Sequence, residues 1–249
     1  MFSIRDRNLI RDHVLQLARA DSRVVAGAVV GSLALSHGDR WSDLDLTFSV
    51  ADEYSILDVL EDWTSNIIGQ FNATQLFDLP RGASIYRVFL LPGCLQLDLS
   101  FTPASNFGAA GPKFKLLFGK ALEKPYPQPP EAQEFFGYAV HHALRARVCI
   151  ERGRYWQAEY WISGTRDYAL KLACLRRNLP ASEGRGFDDL PSEIRNVFNG
   201  ALVADLTRDE LLRALRSAID GLLHELDNGQ ELVIKVKPQL LELTAEWNS

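Results

Sequence analysis

Asp43 and Asp45 flank Leu44 at the head of an apolar run, Leu44-Asp45-Leu46-Thr47-Phe48. Side chains at positions i and i+2 of a strand leave the same face, so this run brings two carboxylates together. Held that close, they repel each other unless a cation sits between them. An acid inside an apolar strand also costs desolvation energy unless it is paired or metal-bound. Hard oxygen ligands suit magnesium, which usually takes further oxygens from a bound phosphate. Gly31-Ser32 closes the upstream run Val24–Val30, and ten residues separate Ser32 from Asp43. A turn there that opens a helix offers free backbone N–H groups to a phosphate. A further acid, Asp98, lies in Leu95-Gln96-Leu97-Asp98-Leu99-Ser100-Phe101, where alternation sets it on a polar strand face with Gln96 and Ser100.

In order and spacing, Gly31-Ser32, Ser42 and Asp43-x-Asp45 resemble the signature of the nucleotidyltransferase superfamily, the polymerase-β-like fold. That family carries a third carboxylate on a later strand, which Asp98 matches in form. The motif set covers about residues 24 to 101, and the second half is more loosely similar to the antibiotic (aminoglycoside and lincosamide) nucleotidyltransferases. The resemblance implies an enzyme that moves a nucleoside monophosphate, AMP from ATP, to a hydroxyl of a small molecule, with pyrophosphate leaving. It implies two magnesium ions on Asp43, Asp45 and Asp98, with Asp98 alternatively taking the proton of the acceptor hydroxyl. It places Gly31, Ser32 and Ser42 at the nucleotide phosphates. An antibiotic becomes the leading acceptor, with a metabolite or a protein side chain left open.

The elements that must position these residues follow from periodicity. Residues 4 to 21 read as a helix, Val24 to Val30 as a strand and Gly31 to about His37 as a short helix. Leu44 to Val50 is a second strand, Tyr54 to Phe71 a helix, and Thr74 to Phe77, Ser84 to Leu91 and Leu95 to Phe101 are strand-like. The Pro92-Gly93 turn hairpins the last two. On Ser84 to Leu91, Arg87 alternates with apolar neighbours, which admits a place facing the acids. Lys124-Pro-Tyr-Pro-Gln-Pro-Pro130 is stiff and extended, so the domain boundary is expected there. Helical periodicity then holds over 131 to 151, 154 to 178, 192 to 203, 207 to 227 and 237 to 247, and Thr207-x-x-Glu210 has the form of a capping box. The expected fold is α+β: a nucleotidyltransferase domain over residues 1–123, with a mixed, mostly antiparallel sheet, then an all-helical bundle over 131–249.

The helix from 154 to 178 pairs a buried stripe (Tyr155, Ala158, Ile162, Ala169, Leu172) with a polar flank of Trp156, Glu159, Ser163 and Arg166. That flank is either a solvated face or the wall of an active-site cleft. In the second case Arg166 faces phosphate. Some antibiotic nucleotidyltransferases carry a general-base glutamate on such a helix, a role the resemblance offers to Glu159. Lys171, four residues after Asp167, makes either an intrahelical ion pair or a phosphate contact.

The 249 residues carry a formal net charge of −5, which argues against a nucleic-acid surface. The sequence pI of about 5.6 fits a cationic or neutral small acceptor. Cys94, Cys149 and Cys174 form no C-x-x-C pair, so neither a disulfide frame nor a zinc site is indicated, and a reduced, cytoplasmic setting is expected. No secretory leader and no apolar run of membrane-spanning length is found. No P-loop, dinucleotide fingerprint or nucleophile elbow is present either. An oligomer remains compatible. A second class stays open: an antitoxin on the same fold that binds a partner protein without nucleotide turnover. The length and the three acids favour the enzyme.

Overall fold

A computed structural model describes residues 1–35, 38–109, 111–126, 128, 130–225 and 231–245. The chain forms two compact units, Met1–Gln128 and Pro129–Ser249, each with its own apolar core.

The first unit opens with α1 (Ile4–Ala20). The Ser3 hydroxyl accepts the Asp6 amide while the Asp6 carboxylate accepts the Ser3 amide, a reciprocal cap that satisfies two otherwise orphaned donors. Then come β1 (Val24–Val30), a 3-10 turn over residues 31–35, β2 (Leu44–Val50), α2 (Ile56–Phe71), β3 (Thr74–Arg81), β4 (Ser84–Leu91) and β5 (Leu95–Pro103). Short β6 (Gly108–Ala109), β7 (Phe114–Phe118) and β8 (Leu122–Glu123) complete the unit. The main sheet has the order β3-β4-β5-β2-β1-β7. Only β2 and β5 run parallel in it; the other pairs are antiparallel, so the sheet is mixed and mostly antiparallel.

Alternation gives this sheet two unlike faces. Leu46, Phe48, Leu97, Leu99 and Phe101 share one cluster with Val14 of α1 and with Leu60, Trp63 and Ile67 of α2. Trp63 meets Phe48 and Phe101 at ring separations of 5.0 Å, and its indole N–H donates to Asp21 at 2.9 Å. Each such buried side chain contributes about 1.5–3 kcal/mol. The opposite face carries Asp45, Thr47 and Ser49 from β2 and Asp98, Ser100 and Thr102 from β5. On β2 and β5 the polar side chains are thus confined to the face that no helix of this core covers.

Some local features differ from the sequence reading. The helix expected after Gly31 is a five-residue 3-10 turn, and its expected end at His37 lies outside the described residues. β3 runs on to Arg81 through Pro80, which an edge strand tolerates because its N–H side has no partner to lose. β7 was not foreseen; it pairs Phe114 with Val30 and makes β1 an interior strand. Arg87 does not face the acids. Val88 stands opposite Asp98, so Arg87 points the other way. There it is 3% exposed and bonds Asp78, Glu61 and Thr64 at 2.7, 3.0 and 2.8 Å.

The second unit is helical: α3 (Ala132–Glu151), α4 (Tyr155–Arg176), α5 (Ser192–Asn199), α6 (Arg208–His224) and α7 (Glu231–Glu242). Alanines at 139, 143, 146, 158, 169, 173 and 214 let α3, α4 and α6 approach closely around Ile162, Leu215 and Ile219. Thr207 makes only half of a capping box. Its hydroxyl accepts the Glu210 amide, but the Glu210 carboxylate goes to the Ala204 amide and Arg213. α7 starts six residues earlier than expected and holds Pro238 inside it. Val233 and Leu240, each 1% exposed, pack on both sides of that proline and hold the helix across it. Residues 226–227 and 246–247 of the expected helices lie outside the described residues.

Candidate active site

Asp45 and Asp98 are direct partners across the parallel β2–β5 pair. Neighbouring strands lie about 4.8 Å apart, so the two carboxylates leave the sheet side by side. Asp43 immediately precedes β2. One carboxylate oxygen from each of Asp43, Asp45 and Asp98 lies within 4.8 Å of the others, and all three residues are half-buried. The register that brings them together is held by the core: Leu44, Leu97 and Leu99 are fully buried and Leu46 is nearly so. A slip of one residue would send those leucines to the polar face and the acids into the core.

The turn after β1 is shaped around Asp45. Gly31 has a φ of +71°, where an L side chain is strained, and a Cβ there would collide with Asp45 Oδ2. Its amide donates to the Lys113 carbonyl at 3.2 Å and is engaged within the protein. The loop before Asp43 is held by a residue that the sequence reading missed. Arg7 of α1, 5% exposed, donates from Nη1 to the carbonyls of Asp39 and Ser42 at 2.7 and 2.8 Å. The buried positions of α1 are Arg7, Ile10, Val14 and Ala18, so an arginine inside an apolar helical stripe was the available signal. The Ser42 hydroxyl is used within the same loop: it donates to Asp39 Oδ1 and accepts the Asp39 amide, both at 3.0 Å. The Trp41 amide, then Ser42, hold the Asp39 carboxyl below its ordinary range.

Burial pushes the Asp98 carboxyl above the ordinary carboxylate range. The Gln96 amide, 2.9 and 3.2 Å from its two oxygens, pulls the other way, and the charge of Asp43 adds to the rise. A partly desolvated, mutually repelling set of oxygen donors fits a hard divalent cation, and the missing side chain at Gly31 leaves the room that Asp45 Oδ2 occupies.

Glu159, Arg166 and Lys171 stand on α4 in the second unit. Glu159 is half-buried and accepts the Ser163 hydroxyl at 2.7 Å. Arg166 pairs with Asp167 at 2.8 Å. Of the two readings open for Lys171, the ion pair with Asp167 is not formed; Lys171 Nζ instead lies 4.4 Å from the Tyr168 ring centroid in a cation–π contact. Trp156 is 79% exposed.

No family model matches the chain, and no curated protein matches it. Among solved structures it is similar to an aminoglycoside 6-adenyltransferase from Bacillus subtilis, at 14% identity and a TM-score of 0.38 over 95% of this chain and 98% of that one. It is similar to a chain of the E. coli MS115-1 CdnC:HORMA-deltaN complex at 13% identity, with a TM-score of 0.30 over 98% and 91%. A terminal uridylyl transferase 4 from Trypanosoma brucei, with bound dUTP, follows at 14% identity and a TM-score of 0.29 over 89% and 68%. Among the described residues, no helix is long and apolar enough to cross a membrane.

Proposed function

We propose that the chain is a nucleotidyltransferase that moves a nucleoside monophosphate, AMP from ATP, to a hydroxyl of a small molecule and releases pyrophosphate. The observation that carries this reading is the in-register pairing of Asp45 with Asp98, with Asp43 beside them. Asp43, Asp45 and Asp98 would hold the magnesium ions. When bound, these supply neutralisation of charge on the triphosphate and a lowered hydroxyl pKa.

The chain's own residues do the rest. Ser32 meets the β- and γ-phosphates, and Ser42, through the loop that Arg7 ties down, sets where Asp43 stands. The acceptor oxygen forms a bond to the α-phosphorus as the bond from that phosphorus to the α–β bridging oxygen breaks. The hydroxyl proton passes to a carboxylate. Asp98 fits that role because burial raises its affinity for a proton. Glu159 on α4 is the second candidate, with Arg166 and Lys171 as its partners toward phosphate. The antibiotic acceptor and the cytoplasmic setting rest on the sequence resemblance and on the reduced-cysteine pattern.

The test is to incubate purified protein with ATP, magnesium and an acceptor panel that includes aminoglycosides and lincosamides, scoring pyrophosphate release. Release that depends on an acceptor and is lost in Asp45→Asn supports the reading. Binding of a partner protein without any nucleotide turnover would replace it with the antitoxin.

A further inference from the structure

Below the acids, along the same sheet face, lies a groove of about 560 Å³. Thr47 and Ser100 form part of its floor, each two residues after an acid of the cluster: Asp45 and Asp98. Two residues along a strand span about 6.6–6.8 Å, so the groove begins one such step from the carboxylates. Val30, which lines it, precedes Gly31. The groove meets the Gly31-Ser32 turn on one flank, through Val30 and the Lys113 carbonyl that accepts the Gly31 amide, and runs away from the acids toward Thr102, four residues after Asp98.

The groove has a charge unlike that of the whole chain. Arg81, Lys113 and Lys124 line it, and among the described residues no carboxylate does. Lys124 is braced by donating to the Asn106 carbonyl, and the Arg81 guanidinium lies 6.0 Å from the Tyr86 ring centroid. Hydroxyls fill the space between the cations. Ser84 and Thr102 share a hydrogen bond of 2.7 Å, and Tyr86, opposite Ser100, adds its phenol. Cations and several hydroxyl donors converging on one hollow match a tetrahedral oxyanion, whose oxygens accept from many directions.

We propose that this groove binds a phosphate group carried by the acceptor, so that the substrate class is a phosphomonoester whose reacting hydroxyl lies roughly 7–13 Å from the phosphate, one or two such steps away. The inference rests on the nucleotidyltransferase reading and narrows it. A polycationic acceptor would meet like charge here.

The experiment uses the full chain with magnesium and an ATP analogue that carries a methylene between its α- and β-phosphates, so that the triphosphate site is filled and inert. Inorganic phosphate is then titrated by calorimetry. Phosphate is expected to bind with the analogue in place. The Arg81→Gln/Lys113→Gln double variant should weaken phosphate at least about tenfold while leaving analogue affinity within about twofold. Both side chains are exposed, so the fold should survive, and an unchanged melting temperature checks this. Absence of phosphate binding, or binding that the double variant leaves unchanged, overturns the proposal. Displacement of phosphate by the analogue also overturns it, because the groove would then hold the nucleotide's own phosphates. Failure of the analogue to bind magnesium-loaded protein would instead strike at the nucleotidyltransferase reading itself, so the two failures are distinguishable.

Discussion

Asp98 sits beside Asp45 with its carboxyl raised by burial first and by the charge of Asp43 last. A carboxyl whose pKa is higher in the folded chain than in the unfolded one contributes stability that is fully present below the unfolded value, about 4. That contribution is lost as pH rises through the folded value. In a chelator, Asp98→Asn should therefore melt above the parent at neutral pH, and the gap should close as pH falls toward 4. A gap that stays constant with pH would show that the carboxylate is not the cause. Magnesium reverses the ranking, because the parent gains a ligand that the variant holds poorly. Asp43→Asn and Asp45→Asn should each cut turnover about a thousandfold, the rate equivalent of several kcal/mol of lost charge stabilisation, while far-UV circular dichroism stays unchanged. Gly31→Ala tests the room that Asp45 Oδ2 occupies. Its φ of +71° costs a non-glycine residue about 1–2 kcal/mol, and the new Cβ must displace Asp45 Oδ2. The variant should lose both melting temperature and magnesium affinity; full retention of magnesium affinity would mean that Asp45 is free to move aside.

At the scale of elements, α1 is more than a cover for the sheet. Through Arg7 it holds two carbonyls of the loop that delivers Asp43. Arg7→Met keeps the apolar stem but leaves both carbonyls without their donor, at about 1.5–3 kcal/mol for a charge-assisted bond. Magnesium affinity should fall with it, and Arg7→Lys should restore part of the loss. A Met variant that melts lower yet binds magnesium normally would make Arg7 a packing residue only. The position of Arg7 within the stripe of Ile10, Val14 and Ala18 signalled its burial, but nothing local in the sequence says which carbonyls it reaches. The strands were far more legible. Val24–Val30, Leu44–Val50 and Ser84–Leu91 stand where β-branched and alternating runs put them, and alternation alone set Asp98 on the polar face. Alternation could not say which face Arg87 takes, since that depends on register with β5. Phe114–Phe118 holds no β-branched residue, so only its pairing with β1 makes it a strand. The groove cations come from β3, from the segment before β7 and from the segment after β8, and no local pattern links them.

Over the whole molecule, a net charge of −5 suggested a cationic or neutral acceptor, whereas the hollow beside the acids is positive. Net charge describes solubility and long-range steering; recognition depends on the few charges that share a cavity. The same separation of scales governs stability. The first unit's core joins the sheet to α1 and α2, while the second unit's core is built from helices alone. Two cores of this kind argue against a single all-or-none transition. Magnesium binds only where the acids are, and a ligand at a hundred times its dissociation constant stabilises what it binds by about 2.7 kcal/mol. Calorimetry should therefore resolve a magnesium-sensitive transition from an insensitive one. Ile219→Ala, which truncates a fully buried side chain of the second core at about 2–5 kcal/mol, should lower only the insensitive transition. Asp45→Asn should abolish the magnesium shift and leave the insensitive transition in place. If Ile219→Ala instead drags the magnesium-sensitive transition down by the same amount, the two cores melt as one, and the acids owe their geometry to both units.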